Sequence, residues 1–241
     1  MTRRHAGPAA RPELRPARSH PIKYRRPLPQ AVTLGGDMTE HTSQHAGHQG
    51  DAGKLIPALA WLSTSKGNLY LGLSCDCATA LILLAAAVHE RSDLRVAGAL
   101  LTIALGLLVF SFMEYATHRW IFHGPRSPLQ AGHERHHLNA AGYDALPFFL
   151  PPLVMAVLAA LFATALAPGY ALLLAGTVAA AYAAYGISHT ILHLYEFQGH
   201  PLLHRWWDFH RLHHVYPDKN FGVTTGLWDV LLGTRYKPPR K

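Results

Sequence analysis

The sequence predicts an all-α membrane protein, with four transmembrane helices in two hairpins and a cytosolic histidine-rich helical cap. Three observations carry this expectation. Apolar runs long enough to cross a bilayer succeed one another between residues 68 and 188. Lys and Arg collect on one side of those runs. Ten of the 18 histidines fall in four short groups close to the ends of the runs.

The spans come in order. A crossing helix needs about 20 mostly apolar residues. The first span is 68–88, broken only by Asp76. The second is 96–115, and a short polar loop from His89 to Arg95 joins the two. The third is 147–166 and the fourth is 170–188, separated only by Ala167, Pro168 and Gly169. Connections this short make two helical hairpins. The fourth span is rich in small residues (Ala179, Ala180, Ala181, Ala183, Ala184, Gly186), which suits close packing between helices.

Nearly half of the 241 residues are apolar, yet the mean hydropathy is close to zero. That average hides a division. Residues 1–66 are polar, basic and rich in Pro, Gly and His, cannot bury a core, and are expected to be disordered. Residues 67–241 then form the integral-membrane domain. The amino terminus has no apolar core of a signal peptide, and Met38 is a candidate start. Cys75 and Cys77 lie two apart in an apolar run, a spacing that a helix does not bridge with a disulfide. The net charge of +8 suits either nucleic acid or the flanks of a membrane protein. The apolar runs decide against nucleic acid.

Orientation follows from the basic residues. Ten precede the first span, Arg119, Arg126 and Arg135 lie between the second and third, and seven follow the fourth. The opposite loops hold only Arg91 and Arg95. Both termini and the central segment are therefore expected in the cytoplasm, where every grouped histidine would share one side. Tyr24 to Arg26 and Arg235 to Lys241 are expected to meet anionic head groups, and Trp206 and Trp207 to anchor at the interface.

The four groups are His118 and His123; His133, His136 and His137; His189 and His193; and His210, His213 and His214. Positions i, i+3 and i+4 share a helix face, so the last three groups each present a small imidazole patch. His118 and His123 are five apart, about 140° around an α-helix. They point at different ions or straddle a helix end. Neutral imidazole binds Zn, Fe, Cu and Ni. Ten imidazoles exceed what one ion takes and suit two ions with about five nitrogens each. A single H-x-x-H-H arises by chance; four groups, each directly after a span or within a short cytoplasmic segment, do not. Ordinary polar surface suffices for His5, His20, His41, His45, His48, His89, His200 and His204.

At these residues the chain resembles the fatty acid hydroxylase and sterol desaturase superfamily over residues 112–236. The resemblance runs through Glu114, Tyr115, His118, Arg119 and His123, then His133, Glu134, His136 and His137, then His189 and His193, then His210, His213 and His214. The tail residues Phe221, Gly222, Val223, Thr224, Trp228, Asp229, Gly233 and Thr234 add to it. The Glu-Tyr-x-x-His-Arg form of the first group looks most like the fatty acid 2-hydroxylase branch. That likeness implies all ten histidines as ligands of a catalytic dimetal centre in a cytosolic cap. Some relatives carry a fused cytochrome b5 domain. This chain has no room for one, so its electrons are expected from a separate donor, cytochrome b5-like or a ferredoxin with its reductase.

The implied chemistry is coherent. An unactivated C–H bond yields only to activated oxygen, which requires a redox metal. Two iron ions are therefore expected, with redox-silent zinc as a metal captured on isolation. The expected reaction joins O₂, two electrons and a lipid acyl chain to give a hydroxylated chain and water. Other readings are a sterol or carotenoid hydroxylase or desaturase with the same centre, and a non-enzymatic metal-binding membrane protein. Metal-bound histidines usually donate their second N–H to a carboxylate or carbonyl. Glu114, one turn before His118, is the first choice for that partner, ahead of Glu134, Asp144, Asp208 and Asp229.

Overall fold

The computed structural model describes residues 52–238, all of whose regular elements are helical. Eight α-helices follow in order. They are α1 (Ala52–Ser63), α2 (Lys66–His89), α3 (Val96–Ala116), α4 (Pro128–Leu138), α5 (Leu150–Ala163), α6 (Pro168–Leu194), α7 (Pro201–Val215) and α8 (Leu227–Leu231). A π-helical turn, Thr117–Phe122, extends α3 without a break.

Three helical stretches are long and apolar enough to cross a membrane: Lys66–His89, Val96–Phe122 and Pro168–Leu194. The expected third span is shorter than its apolar run. Helix α5 has 14 residues, about 21 Å at 1.5 Å per residue, against a hydrocarbon core of about 30 Å. Proline sets its start, since Pro151 and Pro152 occupy the first turn, where a missing N–H is tolerated. A hydrogen-bonded turn through Thr164 and Ala165 ends it. Residues 52–66, expected to be disordered, form α1, the turn after it and the first residue of α2. The remainder of that expectation, with Met38, Tyr24 to Arg26 and the five early histidines, lies outside the described residues.

Helix α6 is the hub. Its residues Ala171, Leu174, Ala175, Val178, Ala179 and Ala183 are buried, and α2, α3 and α5 pack around it. Small residues permit the approach. A Cβ on Gly106 would come within 2.8 Å of Thr177, and one on Gly176 within 2.9 Å of Leu84. At the far end, Gly169 lies against Glu90 and Tyr170 bonds the Arg95 amide. Helices α3 and α6 thus start together and finish together, and the histidines occupy the finish. Ala80, Phe110, Met155, Val178 and Ala179 form the core between the helices. Leu81, Ile82, Leu100, Leu101 and Leu153 point outward and give the bundle an exposed apolar surface. Asn68 ties the loop before α5 to α2, donating to the Leu146 carbonyl and accepting from the Phe148 amide, each at 2.9 Å.

Candidate metal centre

Ten histidines converge in two groups of five. His118, His123, His133, His137 and His213 form the first; His136, His189, His193, His210 and His214 form the second. Within each group the nitrogens available to an ion lie within 4.8 Å of one another. These are the ten residues expected from the sequence, and none is left out. His200 caps α7 away from both groups, while exposed His204 bonds the Glu196 carbonyl and stacks on Trp207.

The distribution differs from one patch per helix. On α4, His133 and His137 enter the first group and His136 the second. On α7, His210 and His214 enter the second and His213 the first. Residues four apart stay together, whereas the i+3 position turns to the other group. Each of these helices therefore runs between the two groups and supplies both. His189 and His193, at the end of α6, serve the second alone.

His118 and His123 belong to one group, so they do not point at different ions. The π turn is the reason. The His123 amide donates to the His118 carbonyl at 3.1 Å, an i→i+5 bond that widens the turn and brings both rings to one face. His123 itself ends the helix. Gly124 follows it because a Cβ there would lie 1.9 Å from the Trp120 carbonyl oxygen.

The spacing of the nitrogens fits metal ligation. In the first group, Nε2 of His133 lies 3.0 Å from Nε2 of His118, His123 and His137. Nε2 of His213 lies 3.2 Å from that of His123 and 3.1 Å from that of His137. In the second, the His193–His189 and His193–His210 separations are 3.1 and 3.0 Å. Ligands at right angles on an ion with bonds of about 2.1 Å sit about 3.0 Å apart, and tetrahedral ligands about 3.4 Å. The groups match the former. The His136 Nε2 is buried with no hydrogen-bond partner among the described residues, which leaves its lone pair available for an ion.

Electrostatics favours the same state. Burial holds the imidazoles of His123 and His136 down to about 4 and that of His137 to about 3. His133, His210, His213 and His214 are also pushed well below the usual range, by burial and then by neighbouring imidazoles. All are neutral at pH 7, with lone pairs to offer.

The groups that orient the rings are mostly not the carboxylates expected. His118 Nδ1 meets the Phe221 carbonyl, and His213 Nδ1 meets the Lys219 carbonyl at 2.7 Å. Each leaves Nε2 to the ion. Glu114 does not touch His118; it accepts the Val223 and Thr224 amides and the Thr224 hydroxyl. Asp229 accepts the Phe221 and Gly222 amides at 2.8 and 2.9 Å. Gly222 fits there because a Cβ would lie 2.0 Å from the Thr225 carbonyl. Trp206, expected as an interfacial anchor, donates its indole N–H to the Val223 carbonyl. Glu134 pairs with Gln130, Asp144 with Arg135 and Asp208 with Arg211, all away from the imidazoles. Three aromatic rings to which the sequence analysis gave no place at the site wall the centre. Phe221 abuts His118, His123 and His213, Phe122 stacks on His133, and Tyr185 lies parallel to His189 at 5.6 Å. Two of them had a signal: Phe221 is part of the family resemblance, and Tyr185 stands one turn before His189.

A family model described as fatty acid hydroxylase matches residues 103–234. Two dihydroceramide fatty acyl 2-hydroxylases of Arabidopsis thaliana are similar, one 31% identical over 58% of this chain and 63% of its own length, the other 30% identical over 56% and 60%. A fatty acid 2-hydroxylase of Rattus norvegicus is 28% identical over 54% of this chain and 38% of its own. The chain thus spans about three fifths of the length of the first two. A solved structure of full-length scs7p, in which only the hydroxylase domain is visible, matches with a TM-score of 0.58 and 21% identity over 74% of this chain and 70% of that one. At that identity the likeness speaks to the fold alone.

Proposed function

The chain belongs to the fatty acid hydroxylase family, and we propose that it hydroxylates a lipid acyl chain at carbon 2, using O₂, external electrons and two iron ions held by its ten histidines. The observation that carries this reading is the pair of five-imidazole groups, whose neutral, buried nitrogens sit at six-coordinate spacing. The names of the relatives from Arabidopsis thaliana and Rattus norvegicus support the acyl chain and the carbon attacked.

The iron pair, when bound, supplies the oxygen activation that attack on a C–H bond requires and that no side chain provides. The chain's own residues do the rest. His118, His123, His133, His137 and His213 would hold one ion, and His136, His189, His193, His210 and His214 the other. Burial of His118, His136, His210, His213 and His214 keeps water away from the reacting carbon. The rings of Phe122, Tyr185 and Phe221 fix the imidazole planes. The lipid arrives from the bilayer through a groove between the helices, since its tail is apolar. Both termini and the histidine end of the bundle face the cytoplasm, where a separate donor (cytochrome b5-like, or a ferredoxin with its reductase) delivers electrons.

Mass spectrometry of hydrolysed lipids tests this. Cells expressing the protein gain 2-hydroxy fatty acids, and cells expressing His136→Ala do not. Equal hydroxy acid content in both, with the metal loaded and a reductase supplied, rejects the acyl substrate and turns attention to sterols and carotenoids.

A further inference from the structure

The two histidine groups are not held alike. In the first group, His118 Nδ1 and His213 Nδ1 each hydrogen-bond a backbone carbonyl, and both carbonyls lie on the loop 219–224. The lack of a partner does not itself separate the groups: among the described residues, both His137 Nδ1 of the first and His210 Nδ1 of the second are buried without one. The five histidines of the second group stand on helices α4, α6 and α7, and the Tyr185 ring lies parallel to that of His189.

The loop is strapped from two sides. Glu114, at the end of α3, takes the amides of Val223 and Thr224 and the Thr224 hydroxyl. Asp229, on α8 and fully buried, takes the amides of Phe221 and Gly222 and the Thr234 hydroxyl. Asn220, in the left-handed region at φ 54°, adds a tie to the Phe209 carbonyl and one from the Tyr236 amide. Neither carboxylate pairs with Lys or Arg among the described residues. Burying a carboxylate is costly unless hydrogen bonds replace its hydration. Here the replacement comes from that loop, with the Thr234 hydroxyl added at Asp229, so carboxylates and loop hold each other in place.

We propose that the loop 219–224, clamped by Glu114 and Asp229, positions ligands for the first ion alone, so that these two carboxylates decide whether the protein carries one ion or two. The second site is built on helices and loads independently of the clamp. Glu114 and Asp229 are positioning residues, acting through the Phe221 and Lys219 carbonyls on His118 and His213. This rests on the metal-binding reading above.

The two carboxylates differ in a way that a substitution exposes. Both amides at Glu114 converge on Oε1, and Oε2 faces a hydroxyl. In Glu114→Gln the amide oxygen keeps both N–H bonds, and its NH₂ donates to the Thr224 hydroxyl. At Asp229 each oxygen faces a backbone N–H. In Asp229→Asn the NH₂ must therefore oppose an amide donor, and the clamp opens.

The experiment measures iron per chain in purified full-length protein after anaerobic Fe(II) loading and desalting. The intact protein retains two ions, and failure at that step rejects the metal reading itself. Asp229→Asn retains one, its weaker site having lost roughly 10- to 100-fold in affinity, and Glu114→Gln retains two. Adding His213→Ala to Asp229→Asn removes nothing more, whereas adding His214→Ala removes the last ion. If Asp229→Asn does not fold, Glu114→Ala against Glu114→Gln gives the same contrast of one against two. Two ions, or none, in a helical Asp229→Asn or Glu114→Ala protein overturns the proposal.

Discussion

The amide of His123 donates to the carbonyl of His118 at 3.1 Å, and this one i→i+5 bond turns two histidines that an α-helix would separate into the same group of five. The glycine that follows is part of the device. Gly124→Ala forces a Cβ to within 1.9 Å of the Trp120 carbonyl oxygen, a backbone atom that cannot swing away. The expected outcome is a loss of about 1–3 kcal/mol in stability, the usual range for overpacking, together with loss of the first ion. Thermal unfolding and iron content check both. An unchanged melting curve with two ions would show that the π turn is not required.

The interleaving of α4 and α7 gives a second test. His136→Ala and His213→Ala each remove one ion, but opposite ones, so the double variant retains none. If both single variants emptied the same site, the double variant would keep one ion, and the division into two groups of five would be wrong. Metal analysis of the three proteins decides.

Acid should weaken the metal-free protein in a defined window. Burial holds His136 down to about 4, below the 6.5 of an unfolded imidazole. Between those values the unfolded chain binds the proton and the folded one does not. Stability is therefore complete above about pH 6.5 and falls as the pH drops toward 4. For one such buried histidine the slope approaches 1.4 kcal/mol per pH unit. Melting temperatures of the metal-free protein at pH 7.5, 6 and 5 report it, and a flat profile would contradict neutral, buried imidazoles.

His200 is the negative control. It stands outside both groups, at the start of α7. His200→Ala should keep two ions and shift stability by no more than about 0.5 kcal/mol, as surface substitutions do. Loss of an ion from this variant would enlarge the ligand set beyond ten.

The histidine set was legible because it depends on residue type and on i, i+4 periodicity, both written in the chain. His133 with His137, His189 with His193 and His210 with His214 each stay together as that periodicity requires. The π turn was not legible, since nothing in the spacing of His118 and His123 specifies which carbonyl the His123 amide selects. Nor were the orienting groups. The carbonyls of Lys219 and Phe221 are backbone atoms that every residue possesses, and only the folded loop aims them at imidazoles. Glu114 was found by its position yet assigned the wrong partner, because its reach to Val223 and Thr224 spans more than 100 residues of sequence. The short α5 was not legible from hydropathy, which marks an apolar run but not the point at which Pro151 and Pro152 let a helix begin.

The central claim is oxygen insertion into an acyl chain, and isotope labelling tests it most directly. The iron-loaded protein in lipid vesicles, given a reductase, its donor and ¹⁸O₂, should yield a 2-hydroxy fatty acid carrying one ¹⁸O in its hydroxyl group. The same reaction in H₂¹⁸O under unlabelled O₂ should yield none. A product labelled from water, or a desaturated chain without a hydroxyl, would contradict the account.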